Sequence, residues 1–416
     1  MKAYRYLLML LFAAGAIIAS LLLIQHFYPE SKVTSFACGG GLVNPCLALS
    51  QSRWSSLWGI PIAAYGLFFY LAGLFILLIA DYAGERYLSH AIAVILPLTA
   101  VALLADIALA IILIVGRHFC ALCVATYGLN IAVMAIAVLW YRRAAKDDGI
   151  RLATLYREMF STRDASSDAK AFRGAFVLFM FMLAFSVFST SSILKTKTEG
   201  TRPPVDRITG FLKNFYRGPV ENITFPPTGL ALGDPKAEIT IIAFTDFLCS
   251  ACHELYNLEK VLFSKYPGKI RMIYYNYPLD MGCNPNLTRT VYENSCVAAR
   301  AMIAASEGGF LEPYVVRHFA DYQTIKHGYS AKKASDLMAA LNDRTRRGMT
   351  EQAFLARMNA PETARRVEEH IKLAKELAVD ATPTIFIAGR RIIGAPPIQI
   401  LEGIIERELA QKQGSE

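Results

Sequence analysis

Apolar positions crowd the first half of the chain and become patterned in the second. Uninterrupted apolar runs occupy about residues 6–25, 60–80, 91–115, 119–140 and 174–194. Each approaches or exceeds the roughly 20 residues that a helix needs to cross the hydrocarbon core of a bilayer. Five membrane-spanning helices are predicted. After residue 194 the pattern is that of a water-soluble domain. Residues 195–229 are rich in charge, Thr and Pro and read as a tether holding a short helix near 208–216. The run 238–245 is continuously apolar and β-branched, as in a buried strand, and 385–388 is a second strand that leads into a hairpin at Gly389. Helical periodicity recurs at 291–305, 314–322, 331–341 and 361–378. The predicted fold class is a membrane all-α part followed by an α/β domain with a long helical insertion.

Composition agrees with a membrane part joined to a soluble one, at 54% hydrophobic residues and a mean hydropathy of +0.34. The basic residues set orientation. Lys2 and Arg5 precede the first run, and Arg142, Arg143, Lys146, Arg151, Arg157, Arg163, Lys170 and Arg173 lie between the fourth and fifth, which puts both segments in the cytoplasm. The net charge of +9 arises largely there and requires no nucleic-acid partner. Five crossings then place the loop 26–59, the turn 116–118 and everything after 194 outside. All eight cysteines face the oxidising, periplasmic side of a multi-pass inner (cytoplasmic) membrane protein. Two segments admit second readings. The first run is also compatible with a cleaved signal peptide, although it is longer than a usual signal core. Residues 149–162 suit either a helix lying on the cytoplasmic membrane surface or an ordinary hairpin.

The cysteines fall into four pairs. Cys38 and Cys46 flank a Gly-rich stretch with Asn44-Pro45 as a turn, which fits a mobile shuttle and a fixed loop disulfide equally. Cys120-Ala121-Leu122-Cys123 opens the fourth span, where free backbone amides and the positive helix end stabilise a thiolate. A thiolate attacks a disulfide through a mixed-disulfide intermediate, so such pairs can pass two electrons stepwise. With no flavin, haem or nucleotide motif in the chain, the oxidant for a pair at the membrane boundary would be lipid-soluble, and a quinone is the natural candidate.

Cys38 and Cys46 at this spacing, Ser52-Arg53-Trp54, Gly59-Ile60-Pro61, and Cys120-Ala121-Leu122-Cys123 followed by Thr126-Tyr127 resemble the bacterial members of the vitamin K epoxide reductase (VKOR) family over about residues 1–145. The resemblance implies a four-helix bundle around a quinone, ubiquinone or menaquinone, to which the fifth span is an addition. It implies Cys123 against the quinone, Cys120 exchanging with Cys46, and Cys38 meeting an external thiol. Ser52 and Tyr127 match positions that line the quinone site; by residue type alone, a capping serine and an interfacial tyrosine fit them as well. Asp106 lies inside the third span, ten residues from the helix end near Gly116. At a rise of about 1.5 Å per residue it sits about 15 Å deep, which favours a hydrogen-bonded acid facing the bundle over a proton relay to the cysteines. His118 reads as a solvated interfacial residue.

In the soluble part, the strand 238–245 leads through Asp246-Phe247-Leu248 into Cys249-Ser250-Ala251-Cys252 at a helix start, and Thr382-Pro383 precedes the strand 385–388. A cis-proline facing a dithiol fits that order and leaves main-chain groups of Thr382 and Pro383 free to pair with a substrate strand. Strand, CxxC, helix and a distant Thr-Pro together resemble the thioredoxin superfamily, and the long helical insertion resembles its DsbA-like branch, over residues 226–409. By that analogy Cys249 is the exposed nucleophile and Cys252 the resolving thiol. DsbA carries Pro-His between its cysteines, whereas here Ser250-Ala251 stands there and His253 follows the pair, which predicts a weaker oxidant. Asp246 is either a proton acceptor for Cys252 or a solvated or capping aspartate. Cys283 and Cys296 lack CxxC spacing and read as a structural disulfide of the insertion. No metal is predicted, because the two CxxC motifs lack the compact spacing of a zinc ribbon. Asn222-Ile223-Thr224 is a glycosylation sequon only in a host with that machinery.

The expected organisation is a four-helix membrane domain 1–145, a cytoplasmic basic loop 146–173, a fifth span 174–194, an extracytoplasmic linker 195–228 and a thioredoxin-like domain 229–412. The expected function is disulfide formation in reduced secreted or periplasmic client proteins. Electrons pass from Cys249 and Cys252 to Cys38 and Cys46, then to Cys120 and Cys123, then to the membrane quinone pool. A reductant exporter like the CcdA and DsbD group would need a cysteine reachable from the cytoplasm, which the predicted topology does not offer. A tethered peptide-binding module with an incidental dithiol is the third reading.

Overall fold

The computed structural model describes residues 2–28, 45–50, 54–115, 120–147, 151–155, 177, 180–193, 205–345 and 349–413. Cys38, Ser52 and His118, the residues 195–204 and nearly all of 156–179 lie outside the described residues. The chain divides into two compact units, one holding the apolar helices and the other holding residues 202–416.

The first unit contains α1 (Lys2–Phe27), α2 (Pro45–Ser50), a small hairpin of β1 (Ser56–Leu57) and β2 (Ile60–Pro61), α3 (Ile62–Ala83), α4 (Glu85–Val115), α5 (Ala121–Asp147) and α6 (Met180–Ile193). Four of these, α1, α3, α4 and α5, are long and apolar enough to cross a membrane, and α6 is a shorter apolar helix. This is a multi-pass membrane domain. Helix α4 begins six residues before the apolar run that predicts it, because Glu85, Arg86, Ser89 and His90 extend the helix at a polar end. The hairpin turns through Trp58 (φ 50°) and Gly59 (φ 76°), the paired positive φ values of a two-residue type I′ turn.

Small residues bring α1 and α3 together. A Cβ on Gly15 would overlap the Tyr70 ring, and one on Gly73 would overlap the Phe12 ring, so each helix seats an aromatic of the other. Arg5 and Asp81 form an ion pair at one end of the two helices. Leu8, Phe12, Tyr70, Leu77, Ile95, Val133 and Trp140 form the bundle core. Helix α5 turns one stripe inward, Cys123, Asn130, Val133, Ala137, Trp140 and Ala144, at the spacing of a single helical face.

The second unit is built on a mixed five-stranded sheet of β3 (Leu230–Gly233), β4 (Ile239–Thr245), β5 (Ile270–Asn276), β6 (Thr384–Ile387) and β7 (Arg390–Ile393), in the order β3-β5-β4-β6-β7. Only β4 and β5 run parallel, joined by α8 (Ser250–Lys265), and the other pairings are antiparallel. Between β5 and β6 lie α9 (Ser295–Glu307), α10 (Leu311–Ala320), α11 (Tyr322–Ile325), α12 (Ala331–Thr345), α13 (Glu351–Met358) and α14 (Pro361–Glu376); α15 (Ile398–Gln413) closes the fold. Helix α9 starts at Ser295 rather than 291 because Asn294 is left-handed (φ 66°). Its buried face includes Ala298, Ala299, Ala301, Ala304 and Ala305, small residues that let neighbouring helices approach closely. The stretch read as a tether contributes α7 (Val205–Arg217), which packs on α15: the Tyr216 hydroxyl donates to Glu408 Oε1 (2.9 Å), and the Arg407 guanidinium lies 4.0 Å from the Tyr216 ring centre.

Candidate active sites

In the membrane unit, Cys120 sits immediately before α5 and Cys123 in its first turn, joined by a disulfide with a Cα–Cα distance of 5.3 Å. The Cys123 amide donates to Cys120 Sγ at 3.2 Å. Cys46 on α2 packs into the same buried cluster with Leu113 of α4, beside Tyr127, so three cysteines from two elements meet at one place. Cys46 and Cys123 border a cavity of about 360 Å³ whose lining also includes Tyr127, Trp54, Phe68 and Phe69. The volume and the apolar, aromatic walls are those of a small-molecule site. Its residues fit a lipid-soluble ring compound, since reactive sulfur and a few polar groups interrupt an otherwise greasy surface. Phe188 of α6 lies 5.2 Å from the Tyr65 ring and 5.9 Å from the Phe68 ring, behind two residues of the cavity wall.

Asp106 lines this cavity and accepts a 2.7 Å hydrogen bond from Asn130 Nδ2; the Tyr70 hydroxyl donates to Asn130 Oδ1 at 2.8 Å. The acid predicted to face the bundle is therefore hydrogen-bonded there. Asn130 and Tyr70 are additions to the sequence-derived set. The sequence does hold one signal for Asn130, which stands seven residues after Cys123 and so on the same helical face.

In the soluble unit, Cys249 is the N-cap of α8 and Cys252 lies in its first turn, both buried and both free thiols. The Thr382-Pro383 bond is cis, and the Thr382 carbonyl lies 3.7 Å from Cys249 Sγ. A hydrogen bond from the Cys252 thiol, helped by the amides at the helix start, brings the Cys249 thiol down to about 5, while burial drives Cys252 well above the usual thiol range. The two sulfurs thus have opposite characters, one an anion near neutrality and one a thiol. His253 stacks on Tyr322 with ring centres 4.2 Å apart and planes 10° from parallel; burial pushes it down to about 4, so it carries no charge to stabilise the thiolate at neutral pH.

Asp246 is buried and accepts from the amides of Leu248 (2.8 Å) and Leu279 (2.7 Å); burial raises it to about 7. It caps no helix, since α8 begins at Ser250 with Cys249 as its N-cap. Two turns past Cys252, the buried Glu259 accepts a hydrogen bond from the Tyr274 hydroxyl and is raised to about 8 by burial. Cys283 and Cys296 are disulfide-bonded, tying the loop after β5 to the first turn of α9. Among the described residues no group of three or more His, Cys, Asp or Glu side chains is arranged to hold a metal ion.

A helical membrane domain with cysteines against an apolar cavity, followed by a sheet domain with a CxxC at a helix N-terminus and a cis-proline beside it, defines a protein built of thiol-disulfide oxidoreductase domains. Residues 6–138 match the vitamin K epoxide reductase family and residues 226–407 match the thioredoxin family. The N-terminal region is thus similar to the VKOR family and the C-terminal region to the thioredoxin family. A curated relative is the Na(+)/H(+) antiporter NhaA of Herminiimonas arsenicoxydans, 22% identical over 174 residues; these are 42% of this chain and 24% of that protein, so the chain spans about a quarter of its length. Similar solved structures include alpha-DsbA1 of Wolbachia pipientis (19% identity, 45% of this chain and 94% of that one, TM-score 0.38). BdbD of Bacillus subtilis is another (16%, 46% and 98%, TM-score 0.37). A third is the catalytic domain of Proteus mirabilis ScsC (19%, 44% and 91%, TM-score 0.35).

Proposed function

We propose that the protein forms disulfides in reduced client proteins outside the inner membrane and disposes of the electrons to a quinone. The observation that carries this reading is the meeting of Cys46, Cys120 and Cys123 beside a single apolar cavity. When bound, a quinone supplies a sink for two electrons and two protons. The protein's own residues do the rest.

Cys249 in a disulfide is attacked by a client thiolate, and the mixed disulfide that forms resolves when a second client thiol displaces Cys249. The client gains a disulfide, and Cys249 and Cys252 hold the electron pair. A sulfur stabilised as an anion is a good leaving group, so the low value at Cys249 favours release of the oxidised client and makes the domain oxidising in direction. Thr382 and Pro383 present backbone to the client chain beside the nucleophile. The Cys249 thiolate then attacks Cys38 of the Cys38–Cys46 disulfide and releases Cys46 as thiolate, and Cys252 displaces Cys38 from Cys249, so that the Cys249–Cys252 disulfide re-forms and Cys38 and Cys46 carry the electron pair. Cys46 in turn opens the Cys120–Cys123 disulfide by exchange at Cys120, leaving Cys123 as the sulfur that faces the cavity. Tyr127, and Ser52 by analogy, orient the cavity's occupant. The five crossings, with the thioredoxin-like domain on the periplasmic side, belong to the same reading.

The test is oxidation of a reduced dithiol peptide by the purified full chain with short-chain ubiquinone and menaquinone analogues, read as quinone absorbance. Alanine at Cys123 should abolish quinone reduction, and alanine at Cys252 should trap Cys249 in mixed disulfides with peptide. Peptide oxidation with both quinones left unreduced overturns the reading.

A further inference from the structure

Cys46 and Cys123 line the cavity, and so do Tyr70 of α3, Asn130 of α5 and Asp106 of α4, which form a chain of hydrogen bonds contributed by three different helices. Cys123 and Asn130 are seven residues apart on one face of α5, so about 10.5 Å of helix axis separates the reactive sulfur from the amide. Between them the same face carries Thr126 and Tyr127, both lining the cavity.

The hydrogen bonds have a direction. The Tyr70 hydroxyl donates to Asn130 Oδ1, and Asn130 Nδ2 donates one hydrogen to Asp106 Oδ2. Carbonyl and amino ends of the Asn130 side chain are thereby fixed, and the amino group retains a second hydrogen. Asn130 is 5% exposed and Tyr70 2%, so neither is free to turn toward water. Three polar side chains at membrane depth cost free energy unless paired, and pairing among themselves leaves that one donor for whatever fills the cavity. The Tyr70 ring is also locked from behind, where Gly15 of α1 has no Cβ and the ring occupies the space.

We propose that Asn130 is the hydrogen-bond donor to the far carbonyl of the quinone, with Tyr70 and Asp106 as positioning residues that hold its amide in the donating orientation. The inference rests on the quinone reading above and deepens it. A para-quinone has carbonyl oxygens at opposite ends of its ring, and a ring held by the amide at one oxygen is presented to the sulfur at the other. The selected ligand class is therefore a ring with two opposed carbonyls rather than any apolar molecule of the same size.

The test uses purified full-length protein and two probes of similar size, menadione with two carbonyls and 2-methylnaphthalene with none. Binding is measured directly by calorimetry, separately from turnover. Asn130→Leu, which keeps the branched shape of the side chain, should weaken menadione about tenfold and raise its KM by the same factor with kcat within twofold, while 2-methylnaphthalene binding stays within twofold. Tyr70→Phe, which keeps the ring and removes only the hydroxyl, should weaken menadione roughly threefold. Alkylation of the cysteines after exposure to reduced peptide checks in each variant that the Cys120–Cys123 pair still receives electrons. Menadione affinity unchanged in both variants overturns the assignment of Asn130 and leaves the quinone reading standing. Equal losses for both probes overturn it as well, since they mark a collapsed cavity rather than a lost donor. A wild-type protein that neither binds nor reduces menadione overturns both.

Discussion

At Cys249 the fold turns an ordinary thiol into a stabilised thiolate. Its value of about 5 lies between the roughly 7 of thioredoxin and the roughly 3.5 of DsbA, as expected where the motif lacks an internal histidine and the helix start still supplies amides. Opening its disulfide with glutathione at neutral pH releases one proton, because Cys249 leaves as thiolate while glutathione enters as thiol. Between about pH 5 and 8.5 the equilibrium should therefore move toward the protein dithiol by roughly tenfold per pH unit, and lose that dependence as pH falls through about 5. Equilibration of the full chain, with the membrane cysteines replaced, at pH 4, 6 and 7 checks this; a flat response between 6 and 7 would contradict a stabilised thiolate. Glu259 has the opposite sign. Its folded value of about 8 exceeds the ordinary one, so the folded domain binds the extra proton. That contribution is full below about pH 4.5 and is lost as pH rises through about 8. Hydrogen exchange of β4 and β5 amides should show falling protection across that window in the wild type and a flatter profile in Glu259→Gln.

At the scale of elements, the membrane bundle depends on helix contacts that a hydropathy profile does not resolve. Gly15 and Gly73 are ordinary members of apolar runs, yet each is a socket for a ring from the facing helix. Gly73→Val should drive Phe12 out of its seat and destabilise the bundle by about 1–3 kcal/mol, measured by unfolding in mixed detergent, whereas Gly128→Ala, with open space around its Cβ position, should cost little. Four of the five predicted spans were legible because length and apolarity suffice to define them, and the fifth run contributes the shorter apolar helix α6. Strand β4, the CxxC and the Thr-Pro were legible because each is a local pattern, a β-branched run or a fixed spacing. Strand β3 was not, since its four residues, Leu230–Gly233, bury only Leu230 and Leu232 and are held by pairing with β5. Helix α13 is short and owes its start to one cap, the Thr350 hydroxyl accepting from the Ala353 amide. Strand β5 does carry a readable alternation, with Ile270, Met272 and Tyr274 inward. Asn130 and Tyr70 gain their significance only when α3, α4 and α5 are assembled, because three helices supply one hydrogen-bonded chain.

At the scale of the molecule, covalent linkage of the two redox domains is itself a kinetic device in the proposed relay. Residues 194–204 separate α6 from α7, and covalent linkage over so few residues gives the two domains an effective concentration on the order of millimolar. Exchange between the Cys249 dithiol and the Cys38–Cys46 pair then proceeds without a tight interface, at a rate that does not depend on protein concentration. Introducing a protease site into 195–204 and cutting it in the purified protein should leave peptide binding and the Cys120–Cys123 disulfide unchanged. At micromolar protein, quinone reduction driven by peptide should fall by roughly a hundredfold or more. Adding back the free C-terminal fragment should restore the rate linearly and approach the uncut value only near millimolar concentration. A cut protein that keeps its full rate at micromolar would show that the two domains associate through their own surfaces, and an uncut protein whose rate rises with concentration would show that each thioredoxin-like domain serves the membrane domain of a neighbouring chain.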